Sequence, residues 1–206
     1  MIAVVDYGMG NLRSVAKAIE QVGFPARVTS EPQALRDARG VVLPGVGAFR
    51  DCMANLKSLG LIDPLLEWIG AGRPFLGVCL GYQVLFTEGE EFGRHRGLDV
   101  IRGRVVRFPP AAGLKVPHMG WNQLEVQPGS TLLRGIPNGA YVYFVHSYYA
   151  LVEEPVTVAR ATHGVTFSAA VERGALFGTQ FHPEKSQQVG LQLYRNFAER
   201  CWSSRP

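Results

Sequence analysis

Two short segments of the chain hold side chains suited to covalent chemistry. Gly77-Val78-Cys79-Leu80-Gly81 has the Gly-x-nucleophile-x-Gly spacing of a turn from strand to helix. At such an elbow the nucleophile's backbone is strained, and glycines two residues to either side let strand and helix approach. A helix starting after Cys79 would favour the thiolate through its dipole, and the Leu80 amide would point at the place where an oxyanion forms. A lone cysteine is ordinarily a buried packing residue. The flanking glycines and the strand-then-helix pattern reverse that reading for Cys79, whereas Cys52 and Cys201 lie in helical patterns without such flanks and read as packing residues.

A thiol nucleophile needs a proton acceptor, and the acceptor needs a third group to fix its ring. Among the histidines, His95 and His163 sit in polar, turn-like segments, and His118 and His146 in aromatic- or glycine-rich strand contexts. His182 differs, because it ends an apolar strand over 175–181 and is followed by Pro183 and Glu184. Proline stiffens the turn, and the Glu184 carboxylate can hold the tautomer of the ring and support the imidazolium. Alone, His-Pro-Glu is an ordinary loop. With the elbow it completes a Cys79, His182, Glu184 set. Leu43-Pro44-Gly45-Val46-Gly47 follows a core strand and belongs at the same carboxyl edge of a parallel sheet. There the amides of Val46 or Gly47 can face that of Leu80.

These residues need a scaffold that brings distant segments to one edge, and the hydrophobic pattern supplies one. Short apolar runs alternate with helical periodicity through the first half: strands over 1–6, 27–29, 40–43 and 74–79, helices over 12–22, 31–37, 49–57 and 62–70. Asn11 is placed to cap the first helix, whose Leu12, Val15, Ala16 and Ile19 share a face. From Val105 to Gln180 the pattern becomes short strands with turn punctuation, several expected to pair antiparallel and add to the sheet. A last helix over 187–202 is expected to bury Val189, Leu191, Leu193, Phe197 and Ala198. The fold class is therefore α/β, an open, mixed, largely parallel sheet flanked by helices, with added antiparallel strands in the C-terminal half. The pattern predicts one domain over residues 1–206.

Composition narrows the function classes. The 206 residues are 47% hydrophobic and 18% charged, with a net charge of +4, which is ordinary globular chemistry. The densest basic stretch, Arg94, His95, Arg96, Arg102, Arg104 and Arg107, is interleaved at strand spacing and reads as a solvated face rather than a nucleic-acid stripe. Three distant cysteines without a Cys-x-x-Cys pair argue against disulfides and structural zinc. No metal or cofactor is called for. Reduced thiols, an opening that is already a strand, and no apolar run near the ~20 residues of a membrane span point to the cytoplasm.

Gly-Val-Cys-Leu-Gly-Tyr-Gln at 77–83 together with Gln-Phe-His-Pro-Glu-Lys-Ser at 180–186 resembles the class I, triad-type glutamine amidotransferases, whose fold is flavodoxin-like. Asp-Tyr-Gly-Met-Gly-Asn at 6–11, Pro-Gly-Val-Gly-Ala-Phe at 44–49, Pro-His-Met-Gly-Trp-Asn at 117–122 and Tyr-Phe-Val-His-Ser-Tyr-Tyr at 143–149 are similar to the branch serving imidazole glycerol phosphate synthases in histidine biosynthesis. The resemblance spans essentially the whole chain. It implies L-glutamine as substrate, Cys79 as nucleophile, His182 as acid and base, Glu184 as orienter, and Val46, Gly47 and Leu80 around the oxyanion. It further implies glutamine contacts from Gln83, Ser147 and Tyr148. A (β/α)₈-barrel cyclase subunit is the implied partner, met by Met9, Asn11, Met119, Trp121, Asn122 and Lys185. From the residues alone, Asn11 is equally a helix cap, Trp121 a core or groove aromatic, and Lys185 a solvated charge. Other readings are a glutaminase for another synthase (pyridoxal phosphate, purine or anthranilate), which the 6–11 and 117–122 motifs oppose, a stand-alone thiol or ester hydrolase, and a non-catalytic module on the same scaffold.

Overall fold

The computed structural model describes residues 1–110 and 114–203. Four aliphatic runs in the first half form strands β1 (Ile2–Val5), β2 (Ala26–Thr29), β3 (Gly40–Leu43) and β4 (Phe75–Val78). Between them lie α1 (Leu12–Gln21), α2 (Pro32–Arg36), α3 (Phe49–Ser58) and α4 (Ile62–Gly70). A single helical turn, α5 (Leu80–Gln83), follows β4. The rest of the chain comprises β5 (Phe86–Gly89), β6 (His95–Arg96), β7 (Ile101–Arg107), β8 (His118–Gln123), β9 (Glu125–Val126), β10 (Tyr141–His146), β11 (Tyr148–Val152), β12 (Thr157–His163), β13 (Val165–Arg173), β14 (Leu176–Thr179) and α6 (Gln187–Ser203).

The central sheet has the order β2-β1-β3-β4-β14-β13-β12-β9. It is parallel from β2 through β14 and antiparallel from there to β9. Alternate residues face opposite layers. Ile2, Val4, Val42, Leu76 and Val78 pack with Val15 and Ile19 of α1 and Leu193 and Phe197 of α6. Ala3, Val5, Val41, Leu43 and Phe75 pack with Cys52 and Leu56 of α3 and Leu65 and Trp68 of α4. Burial on both faces explains why these strands are continuous aliphatic runs.

As expected, several later strands, β14, β13, β12 and β9, add to the central sheet with antiparallel pairing among them; β11-β7-β5-β6 and β10-β8 form sheets of their own. Two expectations need correction. Asn11 precedes α1 but makes no side-chain capping bond. On α6, Val189 and Leu191 are half-buried, while Tyr194 and Asn196 are buried. Asn196 goes in because its Nδ2 donates to the carbonyls of Leu132 and Arg134, at 2.8 Å each.

Candidate active site

The topology decides which residues meet. β14 lies beside β4 in parallel, with Thr179 opposite Val78. The segments leaving both strands therefore emerge at one carboxyl edge, Cys79 from one and His182 from the other, and β3 delivers Pro44–Gly47 next to them.

Cys79 has φ 54° and ψ −106°, a conformation that costs an L-residue energy and is held only by its surroundings. Its amide donates to Thr179 O at 2.7 Å. The flanking glycines are required by close approach. A Cβ on Gly77 would sit 2.5 Å from Gly81 O, and one on Gly81 would sit 1.8 Å from Leu43 O. With α5 only one turn long, its dipole is small, and electrostatic support for a thiolate has to come from His182.

His182 and Glu184 form a buried pair, Nδ1 to Oε1 2.7 Å, with side chains 2% and 1% exposed. Tyr194 from α6 donates its hydroxyl to the other carboxylate oxygen at 3.5 Å. The Ser186 hydroxyl donates to His182 O at 2.7 Å and accepts from the Tyr143 amide at 3.0 Å. α6 packs so tightly here that a Cβ on Gly190 would lie 1.7 Å from Pro183 O. The His182 Nε2 is buried without a hydrogen-bond partner of standard geometry, yet the Cys79 sulfur acts on it. Burial lowers the His182 pKa, but negative charge on Cys79, the sulfur as acceptor and then Glu184 outweigh it, raising the value from 6.5 to about 10.

A cavity of about 450 Å³ opens over this pair, lined by Val46, Gly47, Cys79, Leu80, Gln83, Glu91, Pro117, Val145, His146, Ser147, Tyr148, His182 and Lys185. Val46, Gly47 and Leu80, the residues expected around an oxyanion, thus share it with Gln83, Ser147 and Tyr148. Gln83 Nε2 donates to Tyr148 O at 2.9 Å and to Gln180 Oε1 at 3.0 Å, and Gln180 Nε2 lies 3.9 Å from Cys79 Sγ. Among the described residues, no group of three or more His, Cys, Asp and Glu side chains could hold a metal ion.

The family model for class I glutamine amidotransferases matches residues 3–201. The chain belongs to the class I glutamine amidotransferase family. It is 56% identical over 205 residues to the imidazole glycerol phosphate synthase subunit HisH of Syntrophotalea carbinolica, covering 97% of this chain and 100% of that one. It is 54% identical over 203 residues to the subunit of the same name from Geobacter metallireducens, covering 96% and 97%. A crystal structure described as a glutamine amidotransferase superposes with a TM-score of 0.77 at 21% identity, covering 98% of this chain and all of that one.

In this amidotransferase the residues expected at a partner surface fall into two groups. Met119 and Trp121 stand out of β8, 64% and 47% exposed, and Lys185 is exposed at the cavity mouth with its Nζ 5.7 Å from the Tyr143 ring. Met9, Asn11 and Asn122 are half-buried. Met9 lies against Gly47, where a Cβ would come within 2.4 Å of its terminal methyl. Sequence reasoning missed Gln180, Glu91 and His146. Gln180 was findable, since it stands two residues before His182 in the segment that leaves the apolar run. Glu91, whose Oε2 accepts from the Phe49 amide at 2.9 Å, lies in a stretch with no local pattern.

No described helix is long and apolar enough to cross a membrane.

Proposed function

We propose that the chain is the glutaminase subunit of an imidazole glycerol phosphate synthase, cutting ammonia from L-glutamine and passing it to a (β/α)₈-barrel cyclase subunit in histidine biosynthesis. The observation that carries the reading is one cavity lined by both Cys79 and His182, with the His182 ring gripped by Glu184 at 2.7 Å. The full-length likeness to subunits of that name supports the choice of synthase.

The raised His182 pKa favours the imidazolium, whose positive charge faces the Cys79 sulfur. The sulfur attacks the side-chain carbonyl carbon of glutamine, and the amides of Leu80 and of Val46 or Gly47 donate to the developing oxyanion. Among the described residues, no backbone hydrogen bond occupies those amides. The imidazolium gives its proton to the departing nitrogen, leaving a glutamyl thioester and ammonia. His182 then takes a proton from water as it attacks the thioester, and glutamate leaves as the pair re-forms. Glu184 keeps the proton on Nδ1 and balances the imidazolium. Glu91 offers a carboxylate suited to the α-ammonium group of the substrate, and Ser147 and Tyr148 form the facing wall. Ammonia released into water is mostly protonated and no longer nucleophilic, which gives delivery to a docked partner its value. Met9, Asn11, Met119, Trp121, Asn122 and Lys185 are the proposed contacts with that partner.

With Cys79→Ala, the complex should lose glutamine-dependent synthesis and keep synthesis from added ammonia. If ammonia-driven product disappears too, the division of labour is wrong.

A further inference from the structure

Outside the Cys79–His182–Glu184 set, a hydrogen-bonded line of side chains runs from β8 to the cavity. His118 and His146 are register partners across the β8–β10 pair, so their rings meet on one face. Asn122 Nδ2 lies 3.2 Å from His118 Nε2, His118 Nδ1 lies 2.9 Å from His146 Nε2, and His146 Nδ1 lies 2.8 Å from Tyr148 O. The His163 ring stacks on His118 with centroids 4.1 Å apart, and its Nε2 lies 2.8 Å from Lys115 O.

The proton positions follow from chemistry. Burial, with smaller contributions from neighbouring rings, pushes His118 down to about 4 and His146 down to about 3, so each ring is neutral at pH 7 and carries one N–H. A carbonyl only accepts, so His146 must carry its proton on Nδ1, leaving Nε2 bare. His118 must then donate from Nδ1, leaving its own Nε2 bare for the Asn122 amide NH₂. The far end fixes the same direction independently. Asn122 Oδ1 accepts from the Gln123 amide at 2.8 Å, and its Nδ2 donates to Thr162 O at 2.9 Å. Both ends agree, so the chain has one polarity. Both rings hold the Nδ1–H tautomer, the less common one for a free imidazole.

The direction matters where the chain ends. Tyr148 O receives His146 Nδ1–H and one hydrogen of Gln83 Nε2, while the other Gln83 hydrogen goes to Gln180 Oε1. Gln83 has spent both donors, which leaves Oε1 as the polar group it offers the cavity. Gln180, its oxygen spent, turns its NH₂ toward the Cys79 sulfur. We propose that His118 and His146 are positioning residues which, with Asn122 and Gln180, hold the Tyr148 carbonyl and the Gln83 amide in the one orientation that accepts glutamine. The inference rests on reading the cavity as the glutamine site. Neither ring is assigned a proton transfer.

Isosteric substitutions separate this role from bulk packing. Asparagine places its NH₂ near the position of a histidine Nδ1, and glutamine near that of Nε2. His146→Asn therefore keeps the donor to Tyr148 O, and His146→Gln loses it. The readout is alkylation of Cys79 in the full chain by a diazoketone analogue of glutamine, with iodoacetamide as a small electrophile indifferent to the glutamine wall. His146→Asn should label within about twofold of the unaltered chain, whereas His146→Gln should label about tenfold more slowly, the effect of one lost buried hydrogen bond. Iodoacetamide rates should stay alike. Equal diazoketone rates for the two variants overturn the proposal. Should both variants misfold, ¹⁵N NMR of the unaltered chain decides: Nδ1–H on both rings at pH 7 upholds the chain, and Nε2–H or a charged ring on either refutes it. If the unaltered Cys79 takes iodoacetamide but not the glutamine analogue, the glutamine reading itself fails, and the NMR tautomers still judge the chain.

Discussion

At the scale of single residues, the site turns on how far a sulfur and an imidazole depend on each other. His182 is buried, and burial alone would leave it neutral. Its pKa of about 10 is held up first by Cys79 and only then by Glu184. Removing the sulfur should therefore let burial prevail. We expect the His182 pKa in Cys79→Ala to fall from about 10, as followed by NMR titration of the ring. A midpoint still near the original value would mean that Glu184 alone supports the charge. The linkage has a definite sign. A folded-state pKa above the unfolded 6.5 gives stability that is full below 6.5 and is lost as pH rises through about 10. The substitution should flatten that alkaline slope.

At the scale of elements, the elbow is a steric device, and it was legible because its requirement is local. Glycines at 77 and 81 are demanded by atoms within a few residues or on the neighbouring strand, and the aliphatic runs announced the strands they became. The His118–His146 pairing was not legible. It depends on 118–123 finding 141–146 in a given register, which no local pattern encodes. The brevity of α5 was hidden for a similar reason, because Val84, Leu85 and Phe86 are apolar on every face and wholly buried, so periodicity carries no signal there. The steric reading makes a sharp comparison. Gly81→Ala pushes a methyl to 1.8 Å from Leu43 O, which backbone cannot yield cheaply, while a methyl on Gly70 meets nothing within 4 Å. Urea denaturation should show Gly81→Ala destabilised by about 3 kcal/mol and Gly70→Ala near neutral. Equal midpoints for the two would remove the steric account of the elbow.

At the scale of the whole molecule, the central sheet gathers Cys79, His182 and the 44–47 segment at one edge, and the small β8–β10 sheet closes the other wall with buried imidazoles. That arrangement has a thermodynamic consequence beyond the site. His118 and His146 have folded-state pKa values of about 4 and about 3 against an ordinary 6.5. Here the unfolded chain binds protons first as the solution is acidified. The stability they contribute is therefore complete above 6.5 and drains away as pH falls toward the folded values. Within that window each proton taken up by the unfolded chain alone costs about 1.4 kcal/mol per pH unit. Urea midpoints measured from pH 7 down to pH 4.5 should fall steeply, and a His118→Asn, His146→Asn double variant, which keeps the Nδ1-type donors and cannot titrate, should fall less. If the two slopes coincide, the imidazoles are not the acid-labile part of this fold, and the carboxylates must carry its acid sensitivity instead.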